Sequence, residues 1–156
     1  MRHSALPHTS EAGATLIEVL VAVLVLSVGL LGLAGLQMKA MQSNHSAYYR
    51  SQATVLAYDI IDRMRANRAD ALNGVYDLPL TNEECDPELA ASGTLAQRDK
   101  AEWLNSLSCL LSADARGSVI RNGRLFTVSV EWNDNRGRID NAAANERETF
   151  VYRTQL

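Results

Sequence analysis

From Val19 to Leu36 the chain runs through 18 consecutive uncharged residues, with Ser27 as the only hydroxyl. That length suffices to cross a bilayer as a helix. Counted from Ala14 to Met38, the segment is about 37 Å long at about 1.5 Å per residue, which spans with some tilt. Beyond it the pattern changes. Residues 39–69 contain neither Pro nor Gly, and Tyr49, Ala53, Leu56, Ile60 and Met64 recur at helical spacing, which predicts one apolar stripe on a helix continuous with the span. Ala14 to Ala69 as a single helix would be roughly 84 Å long. Asp59, Asp62, Arg63, Arg65 and Arg68 fall off the stripe and read as its solvated face, with the arginines near the C-terminal end where the helix dipole favours cations.

Asn73-Gly74 and Pro79 stop the helix, and residues 77–93 read as an acidic loop. Thr94-Leu95-Ala96-Gln97 has the form of a capping box for a second helix that ends near Leu111, with Trp103, Leu104, Leu107 and Leu111 on one face. Asn122-Gly123 is expected to form a type I′ turn between two strands. Phe126, Val128, Val130 and Trp132 alternate with polar residues, Leu125 stands out of phase, and Glu148 to Leu156 reads as a last strand. Three strands against a long helix make the expected fold α+β.

Two features alter a bare membrane-anchor reading. A removed secretory signal would have a shorter apolar core and a small-x-small site after it, and no such site follows Leu36. The positive-inside rule sets Arg2 and the initiator amine against Lys39 and Arg50, which leaves orientation open. The odd residue is Glu18. A carboxylate inside a span costs about 2.5–3.5 kcal/mol even on the lenient insertion scale, so it calls for a function and a partner. Gly29, Gly32 and Gly35 lie along one ridge, as expected of a helix packed closely on another; a hinge is the alternative.

The string Gly13-Ala14-Thr15-Leu16-Ile17-Glu18-Val19-Leu20, followed by the apolar run, resembles the class III signal of type IV prepilins. The resemblance implies a leader at residues 1–13, cut after Gly13 by the prepilin peptidase, and N-methylation of Ala14. It also makes Glu18 the fifth residue of the mature chain, whose carboxylate neutralises the buried N-terminal amine of a neighbouring subunit and sets the register of packing. Two departures are visible. Ala14 stands where members usually carry Phe or Met, and Gly35 stands where major pilins carry a helix-breaking Pro.

At the finer level, residues 13–37 together with Val130-Glu131-Trp132-Asn133-Asp134 resemble the PilV family of type IV pilus modification proteins. This implies a pilin-like fold with a filament-core helix at 14–38 and a periplasmic domain at 39–156. It also implies a minor pilin of the bacterial inner membrane that joins other minor pilins and the major pilin, through the inner-membrane pilus assembly machinery, to prime assembly and cap the fibre. Surface piliation and twitching motility would depend on it. A minor pseudopilin of a type II secretion system shares the same N-terminal chemistry, and a pilus-borne adhesin or DNA-uptake subunit is a further alternative.

Composition narrows the rest. The net charge is −3 and no Lys/Arg block occurs, which argues against a nucleic-acid partner. Of three histidines, His3 and His8 lie in the leader, leaving His45; with no GxSxG, HExxH or P-loop, the reading is not an enzyme and needs no cofactor. Asp77, Glu83, Glu84, Asp86 and Glu88 lack the ligand spacing of an EF-hand, as does Asn133 to Gly137, so solvated loops are preferred to a metal site. Cys85 and Cys109 are 24 positions apart. Outside the cytoplasm a disulfide between them is favoured, the alternative being two thiols with Cys109 buried in helix packing.

Overall fold

The computed structural model describes residues 13, 15–134 and 147–156. Along the chain come α1 (Leu16–Ala66), α2 (Arg68–Leu72), β1 (Leu78–Thr81), α3 (Leu95–Leu110), β2 (Arg116–Asn122), β3 (Leu125–Asn133) and β4 (Arg147–Gln155). A long, initially apolar helix and a small antiparallel sheet of order β1-β2-β3-β4 give the α+β, pilin-like arrangement expected above. The chain falls into two units, Met1–Ala40 and Met41–Leu156.

In the first unit, every described residue is exposed. Residues of this kind belong to the one helix among those described that is long and apolar enough to cross a membrane. Ser27 hides its hydroxyl by donating to the carbonyl of Val23 at 2.7 Å, the usual way a hydroxyl is accommodated in an apolar helix.

The second unit holds the whole core. The predicted stripe of Tyr49, Ala53, Leu56, Ile60 and Met64 is buried, joined by Ala57 and Ile61. Across from it lie Trp103, Leu104 and Leu107 of α3, and Phe126, Val128, Val130 and Trp132 of β3. The alternation on β3 therefore separates an inner from an outer sheet face. Trp103 is the keystone. Its indole Nε1 donates to the Leu56 carbonyl at 2.8 Å, and Gly117 on β2 leaves the ring its space: a Cβ there would come within 2.5 Å of Trp103 and 2.7 Å of Leu107. The Thr94 hydroxyl and the Gln97 side chain form the reciprocal capping box that starts α3.

β4 is fastened differently. It pairs with β3 from Asn133↔Arg147 to Leu125↔Gln155 and meets α1 through an Arg50–Glu148 ion pair at 2.7 Å, a Tyr58–Tyr152 ring contact and Arg65 donating to Thr154. Residue numbers rise together along both elements, so β4 runs in the direction of α1.

Four expectations need correction. The helix does not reach Ala69 unbroken, because Asn67 interrupts it at φ −114°, ψ 52° before α2 begins. The sheet has four strands, since Leu78–Thr81 pairs with β2 through Leu78↔Val119 and Thr81↔Gly117; Pro79 sits on an edge strand, where its missing N–H is tolerated. The hairpin turn is Gly123-Arg124, with Asn122 paired to Leu125, and Gly123 (φ 63°) alone has positive φ there. That is the pattern of type II′, not type I′. A loop of Asn122-Gly123 would have set Arg121 directly opposite Arg124, a like-charge pair that the observed register avoids. Leu125 is out of phase with the buried residues, as expected, and lies on the outer face of the sheet with Thr127, Ser129 and Glu131. Arg63, finally, is not a merely solvated residue, as its contacts show.

Candidate assembly site

At the start of α1, Thr15 stands outside the helix, and the Glu18 N–H donates both to its carbonyl (3.0 Å) and to its hydroxyl (3.3 Å). Thr15 is thus the N-cap and Glu18 the third helical residue, the spacing of a capping box. Its sequence signal is Thr-x-x-Glu before an apolar run, which overlaps the prepilin-like string. The two readings coexist, because the cap uses the backbone N–H of Glu18 and leaves its carboxylate exposed, without a partner among the described residues. A negative charge in the first turn also suits the helix dipole. Gly13 is exposed; Ala14, the expected methylation site, lies outside the described residues, as does most of the leader.

On the same helix, a Cβ built at Gly29, Gly32 or Gly35 meets nothing within 4 Å. No contact among the described residues therefore requires these glycines. Each costs a helix about 1 kcal/mol relative to Ala.

The second candidate region is the acidic segment. Cys85 and Cys109 are joined by a disulfide, with Cα atoms 4.9 Å apart, and both residues are exposed, so Cys109 is not part of the helix packing. Asn105 holds the same loop from α3: its side-chain oxygen accepts from the Asp86 N–H at 2.7 Å, and its amide donates to the Asp86 carbonyl at 2.9 Å. The Ser108 hydroxyl donates to the Glu83 carbonyl. Among the described residues, no group of three or more His, Cys, Asp or Glu side chains is placed to hold a metal ion.

Arg63 was the residue least visible from sequence. Its guanidinium contacts Asp59 at 3.0 Å, Asp99 at 3.2 Å and Glu102 at 2.7 Å, joining α1 to α3. Partial burial pulls its pKa down, but the Glu102 hydrogen bond and the other carboxylates outweigh this and leave it raised. The buried Tyr76 hydroxyl donates to Asp99 at 2.5 Å and accepts from Asn67 at 3.4 Å. Burial, then the bond to Asp99, pushes the Tyr76 phenol up to about 12. This network ties down the helix break at Asn67. It is closed by its own partners and offers no reactive group.

Residues 35–101 match the family described as Tt1218-like, Type IV pilin Tt1218. No curated protein and no solved structure matches the chain. The matched stretch begins at Gly35, inside the apolar helix, and ends at Ala101 in α3. It includes the amphipathic stripe, Arg63, the helix break and the acidic loop, and it lies beyond Gly13 and Glu18. Over that stretch, which is under half of the chain, the match supports a likeness to type IV pilins.

Proposed function

We propose that the chain is a minor pilin of the PilV kind, which primes type IV pilus assembly with other minor pilins and thereby supports surface piliation and twitching motility. One observation carries this reading. The prepilin-like string at residues 13–20 and the pilin-family match at residues 35–101 do not overlap, so two separate segments point to the same class. The prepilin peptidase removes residues 1–13 and Ala14 is methylated. Residues 14–38 anchor the chain in the inner membrane and then enter the fibre core, while residues 39–156 form the periplasmic domain that is carried to the tip.

Glu18 is the assembly residue in this scheme. Its carboxylate is exposed with nothing among the described residues to neutralise it, and a charge left alone in an apolar environment is costly. An amine on a neighbouring subunit removes that cost only after assembly. Glu18→Ala should therefore insert into the membrane normally and fail to enter fibres; entry at the normal level would refute the pairing role. The whole reading is tested in a deletion strain by comparing sheared surface pilin, total pilin and secreted enzymes. A priming minor pilin predicts a sharp fall in surface pili with total major pilin near normal. Intact pili with exported enzymes trapped in the periplasm would indicate a secretion pseudopilin, and normal fibre number with lost attachment an adhesin.

A further inference from the structure

The Cys85–Cys109 bridge lies apart from everything that holds the domain together. No residue between Tyr76 and Ala96 belongs to the buried core. The side chains of α3 that are buried, Trp103, Leu104 and Leu107 among them, do not include Cys109, and Trp103 is anchored to α1 by its own hydrogen bond. Between the loop and α3 is a hollow of about 470 Å³ lined by Glu83, Glu84, Asp86, Leu89, Ala101 and Asn105. Both cysteines are exposed, and the Asp86–Asn105 and Glu83–Ser108 hydrogen bonds join the same loop to α3 beside the sulfur link.

We propose that this disulfide is an exchange site on the already folded domain, made and remade by a thiol–disulfide oxidoreductase, and that it latches loop 82–93 without supporting the core. In the oxidising direction, a thiolate of the chain attacks the oxidised enzyme's disulfide. One enzyme sulfur leaves as thiolate and a mixed disulfide forms; the second cysteine, as thiolate, then displaces the second enzyme sulfur. Two electrons pass to the enzyme, and the protons lost by the two cysteine thiols are balanced by those its two sulfurs take up. Reduction is the reverse, with the enzyme as dithiol. Exposure of both sulfur-bearing residues is what permits attack in the native state, since exchange depends on access as well as on thiolate character. Glu83, Glu84, Asp86 and Glu88 surround Cys85 in sequence and repel anionic small thiols such as glutathione, which favours an enzyme as the partner.

The identity of that partner rests on the periplasmic placement proposed above, whereas the chemistry is read on the purified full chain in detergent micelles. Dithiothreitol, a neutral reductant, is added without denaturant, and samples are alkylated and weighed. Both cysteines should become alkylated while the near-ultraviolet circular dichroism of Trp103 and Trp132 keeps its native amplitude. Cleavage after Glu83, Glu84 or Glu88 by a glutamate-specific protease should become faster. The refolding-free dithiol chain should then regain the bridge on adding an oxidised CxxC oxidoreductase, and Cys109→Ser should trap the mixed disulfide on Cys85. Alkylation only at denaturant concentrations that unfold the chain, or loss of the tryptophan signal together with the bridge, would overturn the proposal. The reduction experiment needs no variant, so a misfolded Cys109→Ser does not protect the idea. A chain that passes while its deletion leaves piliation normal would refute the pilin reading and leave the exchange site standing.

Discussion

The two halves of α1 share one helix and follow opposite rules. From Leu16 to Ala40 the helix is exposed all round, with Leu, Val and Gly facing every direction. From Met41 onward one apolar stripe, Tyr49 to Met64, disappears into the core, while Tyr48, Val55, Asp62 and Arg65 face outward. A helix that is apolar on all sides has its stability set by whatever surrounds it, bilayer or other helices, and a helix with one stripe is completed by its own chain. The first half is therefore unfinished without an external partner, and the second is finished at the monomer level. Substitutions in the two halves should accordingly fail in different assays.

The largest effect on the fold is expected at Trp103. Truncation to Ala empties the space between α1 and β2 that Gly117 leaves open, and removes the bond to the Leu56 carbonyl. Large-to-small changes of this kind cost about 3–5 kcal/mol, and denaturant unfolding of the chain in micelles would measure it. Membrane insertion should be unaffected. A loss below about 1 kcal/mol would mean that the amphipathic half is not completed by α3 as described.

A smaller loss, about 1–3 kcal/mol, is expected for Arg63→Ala, which leaves the nearly buried Asp99 without its cation. Arg63→Lys should recover only part of this, because an ammonium cannot present a planar fork to three carboxylates. The same network sets an alkaline limit. Tyr76 has its folded pKa raised from 10.0 to about 12 by burial and by Asp99. Its contribution is complete below pH 10, where the phenol is protonated in both states, and is lost as pH rises toward 12 and the unfolded chain ionises first. Tyr76→Phe should flatten this part of the stability–pH curve, measured at fixed ionic strength. A curve unchanged between pH 10 and 12 would place the alkaline transition elsewhere.

What could be read from the sequence depended on how far apart the interacting residues lie. The Tyr49–Met64 stripe, the Thr94–Gln97 cap and the alternation from Phe126 to Trp132 are local periodicities and emerge in the structure unchanged. Arg63 looked like an ordinary surface residue because Asp99 and Glu102, which define its role, are 36 and 39 positions downstream. β1 was hidden by its four-residue length and by Pro79, which signals loop until an edge position is known to be free. The turn was misplaced because Asn-Gly is a strong local signal, whereas the register that chose Gly123-Arg124 depends on which cross-strand pairs result. At the candidate assembly site, Glu18 is conspicuous as a charge out of place in an apolar run, and Gly13 as the glycine just before that run. Thr15 is not, because its cap looks like part of the same motif.

The smallest effect on the single chain, and the sharpest test of the comparison, is Gly32→Ala. Among the described residues a methyl group at this position meets nothing within 4 Å. Helix propensity then makes the substitution neutral to favourable by up to about 1 kcal/mol, so expression, insertion and domain unfolding should match the parent. If the ridge of Gly29, Gly32 and Gly35 exists to let a neighbouring helix approach closely, the same methyl group is added at the contact itself, where small residues permit backbone approach. Incorporation into fibres should then fall while the monomer is unchanged or slightly stabilised. The readout is the ratio of this chain in sheared pili to that in membranes, parent against variant. A normal ratio would show that the glycines are not a packing face and would leave the hinge as the reason for their spacing. Gly32→Pro, which breaks the helix and costs about 3 kcal/mol or more, separates the two: a hinge tolerates a break there, and a straight packed helix does not.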